Sequence, residues 1–191
     1  MKKRSFLVKS TLALSCFALF SISSCTKLAK NLQYDLDMQT ATVDLIIPPY
    51  PDTAVIVAGT QTSDYNIDSF IKANTANVLG VSNITSAKMK SCKLQIVPTL
   101  TTVNNNFANF KNINASFYTN GNQTPYTLRI LNNPNIYAES LSLPVDATSE
   151  LKGYLSGGNK FTYNIGGQLR KAITDTVRCK ATIVFSIHVQ G

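Results

Sequence analysis

The chain contains no tryptophan, and His188 is its single histidine in 191 residues. Those two shortages remove much of the usual chemistry of a site. Metal sites are built from clustered histidine, cysteine and carboxylate, and with one imidazole and no Cys-x-x-Cys the sequence implies no metal. A serine or cysteine nucleophile wants an imidazole base, and His188 falls on the outward parity of a strand, where a solvated side chain is its simplest reading. Gly-x-Ser-x-Gly, His-Glu-x-x-His and glycine loops that cradle phosphate are all missing, so no cofactor is implied. Charged residues make up only 15% of the chain and form no dense basic run with interleaved aromatics, which removes the footprint expected of a nucleic-acid binder. Nor is there an apolar run of the roughly 20 residues that span a bilayer.

What the chain does have begins at its first residues. Lys2, Lys3 and Arg4 open it, the apolar run Thr11 to Ile22 (TLALSCFALFSI) follows, and Ile22-Ser23-Ser24-Cys25 closes the segment. A charged start, a short apolar middle and small residues before a cut site describe an export signal. Ile-Ser-Ser-Cys resembles the lipobox of bacterial lipoproteins. That resemblance implies a Cys25 thiol joined to diacylglycerol, cleavage just before it, and acylation of the new amino group with a fatty acid such as palmitate. It divides the chain into a signal peptide over 1–24, a lipidated tether over 25–33 and a single domain over 34–191. Lys2, Lys3, Arg4 and Lys9 leave with the signal, so the formal charge falls from +8 to +4. Thr26 is not the aspartate that retains such proteins at the inner membrane, and Thr26-Lys27-Leu28 lacks the acidic cluster of surface-exposed ones. The expected location is the cell envelope, on the periplasmic face of the outer membrane.

Beyond the tether, the pattern is one of repeated strands. Tyr34, Leu36 and Met38 share one parity, and Ala41, Val43, Leu45 and Ile47 share the other, which predicts a bulge or break near Gln39-Thr40. Pro48-Pro49-Tyr50-Pro51 ends that run, and Val55-Ile56-Val57 makes a short strand. Ser63 or Asp64 is positioned to cap a helix carrying Ile67, Phe70, Ile71 and Val78. Further strands are predicted around Cys92-Leu94-Ile96, Ile113-Ala115-Phe117, Tyr126-Leu128-Ile130, Leu141-Leu143-Val145 and Phe161-Tyr163-Ile165. Asn120-Gly121 signals a tight turn, Asn132-Asn133-Pro134-Asn135 and Gly157-Gly158-Asn159 further turns, and Asp146 to Leu155 a helical turn with Leu151 and Leu155 inward. The last strand is the cleanest: Val177, Cys179, Ala181, Ile183, Phe185, Ile187 and Val189 all fall on one face, as in a strand through the middle of a sheet. Short strands at this spacing predict a mainly β protein, an antiparallel β-sandwich or barrel with one or two short helices. Cys92 and Cys179 fall on inward faces, compatible either with a disulfide between two sheets or with two buried thiols.

Several weaker patterns suggest chemistry. Ser69-Phe-Ile-Lys72 and Ser149-Glu-Leu-Lys152 have the Ser-x-x-Lys spacing without its companion motifs, and chance explains them. Asp35 and Asp37 share a strand parity and Asp64 and Asp68 a helix face, but neither pair lies in a readable cleft. The asparagine-rich loops read as amide-rich turns rather than calcium sites, since hard cations prefer carboxylates. Tyr118, Tyr126, Tyr137, Tyr154 and Tyr163 are candidates either for exposed stacking surfaces or for ordinary packing. The asparagine-rich stretch FANFKNINASFYTNGN, residues 107–122, resembles in texture the envelope lipoproteins of the Bacteroidota, and this implies an immunoglobulin-like sandwich. The expectation is a lipid-anchored, non-enzymatic module that contacts an envelope protein or polymer. A carrier of an apolar ligand, or a hydrolase without a recognisable motif, stands as the alternative.

Overall fold

The computed structural model describes residues 32–40, 42–100 and 103–191. The signal segment and Cys25 lie outside them. Among the described residues nine strands form two antiparallel sheets. The first sheet contains β1 (Gln33–Gln39), β2 (Val43–Ile47), β4 (Ile84–Ile96), β7 (Ser140–Leu143) and β9 (Val177–Gln190); the second contains β3 (Val55–Asp64), β5 (Phe110–Thr119), β6 (Tyr126–Ile130) and β8 (Lys160–Leu169). Two short helices, α1 (Ile67–Asn74) and α2 (Lys152–Leu155), close one end.

Alternation explains where β9 sits. Its seven apolar side chains from Val177 to Val189 are all buried, and it lies inside the first sheet with β4 along one edge and β1 and β2 in succession along the other. The parity switch at Thr40 is a real break. Gln39 faces Val184 and Val43 faces Ala181, so the β1–β2 run holds one residue more than its partner, and the Thr40 amide still donates to the Ile183 carbonyl at 3.0 Å. The extra residue turns Met38 and Val43 to the same interior.

Phe117 anchors the core between the sheets, with the rings of Tyr154, Phe185 and Tyr126 centred 5.2, 5.6 and 5.8 Å away. Cys92 and Cys179 are free and buried. They lie in one sheet, not across two: Cys92 faces Ile183 and Cys179 faces Ile96, four residues further along the ladder. Four residues of strand amount to about 13 Å, and a disulfide needs Cα atoms within about 7 Å. The bridge that the sequence left open is therefore out of reach.

Three local expectations are corrected. β3 runs ten residues rather than three, and Asp64 belongs to it. The helix is capped by Asn66, whose Oδ1 accepts the Ser69 amide at 2.8 Å, and it ends at Asn74, leaving Val78 exposed. Asn120-Gly121 lies in a six-residue connection rather than a two-residue hairpin, because Asn120 Oδ1 is drawn away to accept the Asn159 and Lys160 amides, both at 3.1 Å.

Taken with β1 and β2 as one interrupted strand, the sheet orders become 1-8-3-6 and 2-7-4-5. Every connection but one crosses between sheets, and β5–β6 is the only pair of sequence neighbours hydrogen-bonded side by side. This is the order of a double-sheet jelly roll. The immunoglobulin arrangement, in which the first two strands pair in one sheet, does not describe it.

Candidate contact surface

The two ends of the sandwich differ in character. The chain enters at Gln33, opposite Gln190, with α1 and α2 nearby; we call this the near end. The far end is made of the loop residues 48–54, 97–100, 103–109, 131–139 and 170–176.

An amide network holds the far end together. Asn133 Nδ2 donates to the carbonyls of Phe107 and Phe110 at 2.7 and 3.1 Å. Asn109 Nδ2 reaches the Asn104 and Ala172 carbonyls, both at 2.9 Å, and Asn105 Oδ1 accepts the Thr174 amide at 2.8 Å. Arg170 crosses between loops, donating to the carbonyls of Ala108 at 3.1 Å and Asn133 at 2.6 Å. Asn105, Asn106, Asn109 and Asn133 are buried. These amides are occupied in tying loops to one another, which is why the asparagine runs appear where they do. Their sequence signal is two asparagine clusters beside turn residues; the pairing between them has none.

Around this rigid base, apolar side chains stand in solvent. Among the described residues Val78 is the only large exposed apolar residue at the near end, whereas Ile46, Val55, Leu100, Val103, Leu131, Ile136 and Tyr137 all belong to the far half. Val103, Leu131 and Ile136 are each 70–72% exposed. Charge follows the same division. Cut at the Cys92–Ile183 pair, the far half carries Lys93, Lys111, Arg129, Arg170, Lys171, Arg178 and Lys180 against Asp44, Asp52, Glu139 and Asp175, an excess of three positive charges. The near half has one more acid than base. The two lysine–aspartate ion pairs among the described residues, Lys72–Asp68 and Lys90–Asp37, and the His188–Asp35 hydrogen bond are all in the near half. Two clefts open at the far end: one of about 240 Å³ bordered by Val103, Asn104, Asn135, Tyr137 and Lys171, and one of about 320 Å³ between Ile46, Val97, Arg178 and Lys180.

The residues that the sequence nominated for chemistry lie elsewhere and apart. Asp35 accepts from His188 Nδ1 at 2.7 Å and Asp37 pairs with Lys90 at 2.5 Å, each on the open outer face of the first sheet. Asp64 and Asp68 do not share a helix. Lys72 is engaged by Asp68 at 2.6 Å, and the Ser149 hydroxyl donates to Asp146 at 2.7 Å rather than meeting Lys152. Of the five tyrosines, only Tyr137 is an exposed ring, and its hydroxyl donates to Glu139. Among the described residues no group of three or more His, Cys, Asp or Glu side chains is placed to hold a metal ion, and no helix is long and apolar enough to cross a membrane.

The interior is filled. The space between the sheets beside Cys92, Phe117, Leu128 and Tyr163 amounts to about 20 Å³, room for one water. Tyr163 Oη and Ser63 Oγ are buried close to one another and to the Thr40 hydroxyl. Burial pushes the Tyr163 phenol up to about 12, opposed by the neighbouring hydroxyls of Thr40 and Ser63.

No family profile matches the chain, and no curated protein matches it. Among solved structures it is similar to Desmodium yellow mottle tymovirus (12% identity, 84% of this chain and 89% of that one, TM-score 0.29). It is also similar to the 60-mer BFDV capsid protein (10% identity, 84% and 95%, TM-score 0.35) and to a virus-like particle of the giant freshwater prawn nodavirus (8%, 84% and 85%, TM-score 0.35). Likeness this loose assigns neither kinship nor function.

Proposed function

We propose that the protein is a lipid-anchored, non-enzymatic lipoprotein of the bacterial cell envelope, similar to those of the Bacteroidota, that works by contact through the far end of its sandwich. The lipobox-like Ile22-Ser23-Ser24-Cys25 supports the anchor, and Thr26 supports the periplasmic face of the outer membrane. Each buried methylene contributes about 0.8 kcal/mol, so one acyl chain holds marginally and two or three hold firmly. The observation that carries the contact reading is the gathering of exposed apolar side chains and unpaired cations at the end farthest from the chain's entry. Val103 and Tyr137 border one cleft there beside Lys171, and exposed apolar groups rimmed by polar ones are the usual mark of an interaction surface. Contact is favoured over carriage of an apolar ligand because the core has room for one water, where a small-molecule site takes several hundred cubic ångströms. A hydrolytic reading draws no support from the two Ser-x-x-Lys pairs, since Lys72 is engaged by Asp68 and the Ser149 hydroxyl by Asp146.

Cys25→Ala tests the anchor. The variant is expected to lose acylation and cleavage, so that intact-mass spectrometry finds the uncut precursor instead of a product that begins at residue 25 and is heavier than its polypeptide. A wild-type protein with the bare mass of its chain would overturn the proposal.

A further inference from the structure

We propose that the far-end loops dock on an anionic bilayer other than the one that holds the anchor, so that the protein bridges two membrane surfaces. This rests on the anchoring proposed above. The side chains that project most are aliphatic: Leu100 and Val103 from one loop, Leu131 and Ile136 from the next, and Val55 at the start of β3. Sugars stack on aromatic faces, and among the described residues Tyr137 is the only ring more than half exposed. A folded protein partner wants a packed, shape-matched patch, whereas separate aliphatic tips suit a fluid interface that closes around each of them.

The charge has the matching sign. Lys111, Arg129 and Lys171 are exposed around these loops and enter no ion pair among the described residues, and with the acids Asp44, Asp52, Glu139 and Asp175 counted this half still holds an excess of three positive charges. Each cation near an anionic surface raises partition roughly fivefold. The tips are also held in advance, since Asn106 Nδ2 donates to the Val103 carbonyl at 3.1 Å and the Phe107 amide to the Ala138 carbonyl at 2.9 Å, joining the two loops. Little ordering is left to oppose docking.

Geometry separates the two membranes. β9 has 14 residues and runs from near end to far end, about 46 Å at strand rise. From Cys25 to Gln33 the chain reaches at most about 30 Å, however it runs. An upright domain whose loops enter a bilayer therefore holds its anchor beyond the reach of that same bilayer.

The test uses the mature, acylated protein inserted into neutral phosphatidylcholine vesicles and mixed with dye-labelled acceptor vesicles, either neutral or containing about 30% phosphatidylglycerol. Flotation checks insertion, and two-colour coincidence counts bridged pairs. Coincidence with anionic acceptors should exceed that with neutral ones by more than about tenfold. It should fall to the neutral level in Leu131→Asp/Ile136→Asp and in Lys111→Glu/Lys171→Glu, exposed changes whose thermal melts should match the parent. Protein that floats with its donor vesicles yet gathers no acceptors overturns the inference alone. So does equal coincidence with neutral acceptors, or coincidence that appears only after an envelope polysaccharide or protein is added. Protein that fails to float at all overturns the anchor, and the bridge with it.

Discussion

Cys92 and Cys179 behave as small apolar residues. Burial pushes both thiols up to about 12, so neither forms thiolate at neutral pH and neither reacts while the domain is folded. A maleimide reagent applied to the mature protein without reductant should label no cysteine in buffer and both of these in denaturant. Labelling of neither after unfolding would mean the bridge forms after all. Asn133 is the second residue on which much turns. Asn133→Ala removes the amide donors to two carbonyls in a buried setting, and each orphaned group costs about 1–3 kcal/mol. The expected result is a lowered melting temperature, with new proteolytic cleavage confined to the loops over 97–109 and 131–139. An unchanged melt would show that water replaces the amide.

Among the elements, α2 depends on a carboxylate more than on its own four residues. Glu150 accepts from the Ser86 hydroxyl at 2.7 Å and from the amides of Ala87 and Lys152, both at 2.8 Å, which ties the start of the turn to β4. Burial raises the Glu150 carboxyl, but these hydrogen bonds outweigh it and leave it below its ordinary value. Nearby Asp146, accepting from Ser149 and Thr148, is lowered to about 2. Both carboxyls are more acidic folded than unfolded, so their contribution is complete above ordinary carboxylate values and disappears as pH falls through the folded ones. Urea midpoints should therefore drop between about pH 4 and pH 2, and Glu150→Gln should flatten part of that drop. The legibility of elements divides in the same physical way. β9, the end of β4 from Cys92 to Ile96 and the switch at Thr40 could be read because a buried face alternates with a wet one, whereas β4 before Cys92 could not, since its two register shifts break the alternation. β3 could not be read to its end, since Thr60 to Asp64 carry polar groups on both faces and only the ladder to β8 holds them extended. Ser63 and Asp64 consequently resembled a helix cap, a task that Asn66 performs.

For the whole molecule, strand alternation predicted two packed sheets but could not say which strands meet. Tyr34 facing Val189 is a pairing no local pattern encodes, and the jelly-roll order follows from such long-range choices. The far-end surface was equally hidden, because Val103, Leu131 and Lys171 are scattered in sequence and only the connections between sheets assemble them. The position of β9 has one more consequence. As the ninth strand in chain order it separates β4 from β1 and β2, so the first sheet has no middle until β9 has been made. The second sheet, whose four strands pair without β9, can form before it, whereas the first cannot close until β9 inserts between β4 and the β1–β2 run, so joining of the two sheets into one core is a late step of folding.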